Sequence, residues 1–197
     1  MNTRNQTCDQ PGISTKRIIL TPYSDEYFDH IYAWNTDARW KHLWTNNRTF
    51  SDKKTFHDSL MSSLKSYYHD YMVIFSKNSP IPKGFICTYN YSSDGFLFFT
   101  VFVDQTYRNS YISCESVIIF HDFIFRHYPI RKIYCDVYSY NDVSIKVLRH
   151  SGYIIEGIFK HHRFYAGKYH DLVTFAIYRD VFYKIYTDML NSLVDNH

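Results

Sequence analysis

The sequence holds only four cysteines, Cys8, Cys87, Cys114 and Cys135, and no two of them form a CxxC pair. That spacing excludes a zinc knuckle and a thioredoxin-type redox motif. His121 and His127 lack the i, i+4 separation by which a helix presents two imidazoles to one ion, so no metal is expected. Neither sign of charge is in marked excess. The formal net charge is +3, spread over short clusters such as Arg131-Lys132 and His161-His162-Arg163 that read as solvated surface. Such a balance gives no nucleic-acid footprint. No apolar run reaches the length of a membrane span, and the first residues, MNTRNQTCDQPGIS, lack the apolar stretch of a secretory signal. No internal repeat or low-complexity tract is visible. A reduced, cytoplasmic protein with neither a nucleic-acid nor a membrane partner is the expectation.

Aromatic residues are abundant: 20 Tyr and 16 Phe in 197 residues. A genome biased toward Tyr, Phe, Ile, Asn and Lys codons would produce this without any functional demand. Its physical consequence holds either way, because each buried tyrosine hydroxyl needs a partner. The length suits one domain with a sizeable core. Residues 1–15 are polar and contain Pro11-Gly12, so they read as a flexible N-terminal arm ahead of a domain spanning 16–197.

Hydrophobic periods then assign elements in turn. Arg17 to Leu20 reads as a strand closed by Pro22. Helical spacing follows at Phe28, Ile31 and Tyr32, and again at Phe56, Leu60 and Leu64 with Ser51 as cap. Tyr71–Phe75 and Gly84–Tyr89 flank a proline-containing turn. Gly95 to Asp104, GFLFFTVFVD, has almost no polar face and is expected at the middle of the sheet, covered on both sides. CESVIIFHDFIFRHY is a helix with Ser116, Ile119, Phe120, Phe123 and Ile124 as its buried stripe, ended by Pro129. RKIYCDVYSY is a second central strand. A helix over Val143–His150, strands over Tyr153–Phe159 and Leu172–Tyr178, and a helical tail complete a mixed α/β order.

One segment stands out, NDVSIKVLRHSGYIIEG over 141–157. It has Asn141, Ser144 three residues later, a short amphipathic run, Gly152-Tyr153, and then Glu156-Gly157. Beyond it, RFYAGKYHDLVTFAIYRD places a Gly, an aromatic and an Asp before the last strand. With these spacings inside this element order, the chain from Arg17 to about Tyr183 resembles the GCN5-related N-acetyltransferase (GNAT) superfamily. The nearest likeness is to its ribosomal-protein N-terminal acetyltransferase branch. The resemblance implies a single-domain α/β fold: a mixed, mostly antiparallel sheet, helices on both faces, and a parallel strand pair that splays apart.

The resemblance also implies a site. Acetyl-coenzyme A, as co-substrate, would lie in the splay against Val101, Phe102 and Val103, hydrogen-bonded as an extra strand would be. Its pyrophosphate would meet the N-terminus of the next helix through Arg108, Asn109, Ser110, Tyr111, Ile112 and Ser113, with Asn141 on the pantetheine arm. Tyr111 departs from the family's turn, where glycine lets phosphate approach the backbone; its ring must point elsewhere. The acid that many relatives carry falls on Leu148, and the carboxylate base of the branch falls on Phe98. Ser144 is left to protonate or bind the sulfur, and Glu156, His162 or His161 to take the amine's proton. Each also has a structural reading: Ser144 bonding its helix backbone, Glu156 supporting the last strands, the histidines lying on the surface. Trp34, Trp40 and Trp44, with Tyr165, would wall the acceptor, and Asp37 would meet a cation or close a helix. The implied acceptor is a primary amine of a small molecule such as an amino sugar, polyamine or amino-group antibiotic. A protein N-terminus and a non-catalytic binding module are the alternatives. Monomer and homodimer are both compatible.

Overall fold

In the computed structural model the described residues are 12–43, 52–65, 69–107 and 110–193. The strands are β1 (Ile13–Ser14), β2 (Ile18–Pro22), β3 (Tyr71–Ser76), β4 (Gly84–Ser92), β5 (Phe96–Val103), β6 (Lys132–Tyr138), β7 (Ile154–Tyr165) and β8 (Lys168–Tyr178). The helices are α1 (Phe28–Thr36), α2 (Lys53–Leu64), α3 (Tyr111–His127), α4 (Asp142–His150) and α5 (Arg179–Leu193). One sheet of order β1-β2-β3-β4-β5-β6-β8-β7 contains all eight strands. Every neighbouring pair is antiparallel except β5 and β6, which are parallel. Parallel neighbours need a long crossover, and α3 supplies it.

The alternation of side chains across the pleat divides the core in two. On one face Ile18, Leu20, Met72, Ile74, Leu97 and Phe99 pack with Ile118, Phe120 and Phe125 of α3 and Phe182 of α5. On the other face Tyr71, Val73, Phe85 and Phe102 pack with Ile31 and Trp34 of α1 and Phe56 and Leu60 of α2. Strand β3 therefore buries both sides. Gly84 allows β4 to run close to β5, since a Cβ there would meet the Phe102 carbonyl oxygen at 2.0 Å.

Three expectations are corrected. The last residues assigned to an arm over 1–15 belong to the sheet: Ile13–Ser14 pair with β2, while residues 1–11 lie outside the described set. Thr15 is buried and donates to the buried Glu115 of α3, which also holds Arg17 at 2.6 Å. The cap of α2 is Asp52, whose side chain accepts from Thr55 N–H at 2.8 Å, while Ser51 lies outside the described residues. Strand β5 is central as expected, yet its two faces are covered unequally, and Val101 at the splay is only half-buried. Leu97 and Phe99 are buried toward α3, whereas Phe96, Phe98 and Thr100 on the other face are half-buried, because α1 covers that face only at Phe102.

The 141–157 segment has a local explanation. Asn141 Oδ1 accepts from the Ser144 N–H at 3.3 Å and caps α4. Gly152, at φ +81°, takes the left-handed position after the helix, and the Tyr153 N–H returns to the Leu148 carbonyl at 3.3 Å. This is a Schellman ending, and its apolar pair, Leu148 and Tyr153, is buried in the core. The next device is a β-bulge. Ile155 opposes Phe175 and Gly157 opposes Thr174, so Glu156 is the extra residue.

Candidate active site

Strands β5 and β6 pair only through Phe96↔Lys132, Leu97↔Ile133 and Phe98↔Tyr134. From there β5 runs on against β4 alone and β6 against β8 alone. The pair opens into a V toward the strands' C-terminal ends, where the chain enters α3 and α4. A cavity of about 1720 Å³ fills the V. It is lined by Phe99–Val103 of β5, Tyr134–Tyr138 of β6, Ser113, Val117 and His121 of α3, and Asn141, Ser144 and Val147 of α4.

The donor end follows from the start of α3. Ser110 is its cap: Oγ accepts from Ile112 N–H at 3.3 Å and donates to the Tyr107 carbonyl at 2.5 Å. The first-turn N–H groups of any helix lack intrahelical acceptors, and the dipole makes that end attractive to anions. Here one of them, that of Ile112, is already bound by Ser110. Ser113 lines the cavity; Ser110, Tyr111 and Ile112 do not. The Tyr111 ring lies under the Arg17 guanidinium at 4.1 Å, on the β2 side of the helix. Arg108 and Asn109 lie outside the described residues. An open strand edge beside a helix whose first turn reaches the cavity at Ser113 is the kind of donor set that a pantetheine arm and a pyrophosphate require, so acetyl-coenzyme A fits these residues.

The acceptor side is aromatic. Phe98 stacks on Tyr134 at 4.9 Å and lies 5.5 Å from Tyr89, and Phe96 meets Tyr134 edge-on at 5.4 Å. Tyr138 and Tyr140 stack at 5.4 Å, and Tyr140 donates to the His42 carbonyl. Trp40 lines the cavity with His42. Trp34 does not: it is buried, packs on Phe102 at 5.5 Å, and donates Nε1–H to Asp104 at 3.0 Å. Tyr165 stands behind His42, stacked on its ring at 5.0 Å, and does not line the cavity. Trp44 falls outside the described residues. Asp37 closes α1 and is held by Arg39, whose hydrogen bonds pull its carboxyl below the usual range.

Two carboxylates share the acceptor face. Glu156 Oε2 accepts from Lys132 Nζ at 2.5 Å and from the Tyr134 hydroxyl at 2.6 Å, and Oε1 accepts from the Tyr178 hydroxyl. Burial pushes this carboxyl upward, but the donors from Lys132, Tyr134 and Tyr178 outweigh it and bring it down to about 2. With both oxygens engaged, this carboxylate has little capacity left for a further proton, which favours the structural reading of Glu156. Asp136 is different. Its Oδ1 accepts from Thr174 Oγ1 at 2.6 Å, burial raises its pKa, and Thr174 and the nearby His162 oppose that rise. Sequence reasoning passed over Asp136. The signal was an acid on the Lys132-Tyr134-Asp136-Tyr138 alternation of a strand read as central.

His161 and His162 lie on β7, not on a loop, at a second irregularity between Phe159 and Arg163. His162 lines the cavity and His161 does not; the latter's N–H is bound by Asp171 at 3.0 Å. At the floor, buried His121 meets the Tyr153 hydroxyl through Nε2 at 2.6 Å, and burial drives its pKa to about 3. Among the described residues no group of three or more His, Cys, Asp or Glu is placed to hold a metal, and no helix is long and apolar enough to cross a membrane.

Comparison with known proteins follows this geometry. The family model described as an acetyltransferase (GNAT) domain matches residues 17–154. No curated protein matches the chain. Among solved structures, spermidine N-acetyltransferase from Vibrio cholerae, in complex with CoA and spermine, superposes with a TM-score of 0.77 at 13% identity, over 84% of this chain and 97% of that one. The ribosomal L7/L12 α-N-protein acetyltransferase RimL, in complex with coenzyme A, gives 0.74 at 15% identity, over 86% and 98%. A GNAT-family acetyltransferase from Bacillus anthracis gives 0.72 at 14%, over 86% and 99%. At these identities the superpositions speak for the fold alone.

Proposed function

We propose that this chain, which belongs to the acetyltransferase (GNAT) family and draws on acetyl-coenzyme A as donor, passes the acetyl group to the primary amine of a small, ring-bearing molecule. An amino sugar suits the site better than a polyamine. The observation that carries this reading is the composition of the cavity beyond the splay. Its walls are Trp40, Tyr89, Phe96, Phe98, Tyr134, Tyr138 and Tyr140, surfaces on which a sugar or aromatic ring stacks. A polyamine needs several carboxylates along its length. Of the acids lining this cavity, Glu156 is already engaged by Lys132, Tyr134 and Tyr178, leaving Asp136 and the α4-start residue Asp142.

The chain's own residues have defined tasks in this reading. Val101, Phe102 and Val103 flank the donor's arm, and the α3 start from Ser110 to Ser113, with Arg108 and Asn109 before it, meets the phosphates. Asn141 sets the start of α4, from whose first turn Ser144 reaches the cavity to bind or protonate the departing sulfur. His162 is at the rim. The chemistry is direct aminolysis, in which positioning contributes most. Thiol release with acetyl-coenzyme A across a panel of amino sugars, polyamines, amino-group antibiotics and N-terminal peptides tests it. Turnover led by amino sugars is expected. Turnover restricted to peptides would favour the ribosomal-protein-like alternative. No thermal shift with saturating acetyl-coenzyme A would favour a non-catalytic module.

A further inference from the structure

Building on the acetyltransferase reading, we propose that Asp136 is the catalytic residue that takes the proton from the acceptor's ammonium. Three features of the fold put it there. It sits two residues beyond Tyr134, the last β6 residue paired with β5, and so at the crotch of the V, where donor and acceptor must meet. Strand alternation turns it to the aromatic side with Tyr134 and Tyr138. Across the sheet on the same row, Asp136 pairs with Thr174 and Thr174 with Gly157, which lines the same cavity and leaves it open there: a Cβ at Gly157 would touch nothing within 4 Å.

Its bonding leaves it one working oxygen. Thr174 holds Oδ1 at 2.6 Å, and among the described residues no hydrogen bond engages Oδ2. Glu156, on the same face, has both oxygens committed. The ionisable groups around Asp136 are Tyr89 from β4, His162 from β7, and Cys135 on its own strand. Burial pushes the Tyr89 hydroxyl and the Cys135 thiol upward, so both stay neutral near pH 7. That leaves Asp136 and His162, of which Asp136 stands at the crotch of the V while His162 lines the cavity from β7. The step balances. The ammonium gives one proton to the Asp136 carboxylate. The freed nitrogen lone pair forms the C–N bond, the C–S bond breaks, and sulfur leaves with its electron pair and takes a proton. Asp136 then returns its proton to water.

Asp136→Asn keeps the shape and the Thr174 bond. It should lower kcat by about 100-fold or more, with the donor Kd unchanged within about twofold. Thr174 is a positioning residue. In Thr174→Ala the carboxylate loses a donor, its pKa rises, and the acidic limb of the kcat/KM profile should move up by about one pH unit. A readout without donor is the Asp136 carboxyl carbon resonance, which should titrate above the free aspartate value of about 3.9. A midpoint at or below that value overturns the role. So does Asp136→Asn activity within about threefold of wild type, which leaves the acetyltransferase reading standing. Wild-type protein that acetylates no amine overturns both.

Discussion

Glu156 and Asp136 line the same cavity, Asp136 from β6 itself and Glu156 bonded to Lys132 and Tyr134 of that strand, yet the fold treats them in opposite ways. Glu156 emerges from a bulge and is met by an ammonium and two phenols. Asp136 emerges from regular strand and is met by one hydroxyl. The first is consumed in joining β6, β7 and β8; the second keeps capacity to spare beside an open space. Polar groups the fold has already satisfied are struts, and those left partly satisfied in a cavity are where chemistry is available.

Substitution at Glu156 tests that contrast most severely. Glu156→Gln leaves the Lys132 ammonium, whose side chain is 10% exposed, without its counter-charge. A loss of about 2 kcal/mol in urea unfolding is expected, below the full cost of breaking a buried pair because Glu156 is partly exposed. The pH dependence has a definite sign. A carboxyl held near 2 in the fold and near 4.5 when unfolded stabilises above the upper value, and that contribution fades as pH falls toward the lower one. The variant should lack this portion of the acid loss while retaining kcat within about tenfold. A kcat collapse with stability intact would reverse the two carboxylates' roles.

Gly157→Leu probes the open side. The position has free space and φ in the ordinary range, so the melting temperature should move by no more than about 2 °C. The leucine would enter the open space that Gly157 leaves in the cavity wall, on the row of Thr174 and Asp136, and the acceptor KM should rise by about tenfold or more with donor affinity retained. An unchanged KM would mean the amine approaches from elsewhere. Smaller again is Asn141→Ala, where Oδ1 is taken by the Ser144 N–H. Loss of that cap should cost about 1 kcal/mol. The donor Kd should also weaken; if it does not, Asn141 serves only as the cap.

The sequence announced the elements whose signals are local. Strand and helix periods gave the order from β2 onward, and the Asn141 cap, Gly152 turn and Leu148–Tyr153 pair lie within one short stretch. Long-range outcomes were hidden. Nothing near Ile13 says that two residues will add a strand to β2. Nothing near Phe98 says that α1 stops covering β5 at Phe102, which leaves an apolar strand face as cavity wall. The bulge at Glu156 and the register that sets Thr174 opposite Asp136 appear only once β6, β7 and β8 are paired. The site was therefore legible where it is built from a turn and obscure where it is built from a pairing.

Tyr111 carries the comparison to its mildest case, a side chain at the start of α3 whose ring has been taken up by the fold. Its partner Arg17 is anchored by buried Glu115, so the ring rests on a fixed cation on the β2 side of α3. Tyr111→Gly removes that contact and puts glycine at the first position of the helix, for a combined loss of about 1 kcal/mol read by thermal unfolding. The backbone N–H groups at the helix start are unaltered. Titration calorimetry with acetyl-coenzyme A should therefore give a Kd equal to wild type or tighter. A Kd weaker by about tenfold would mean that the tyrosine touches the donor, and that this residue belongs with Asp136 among the groups left open rather than with Glu156 among those consumed.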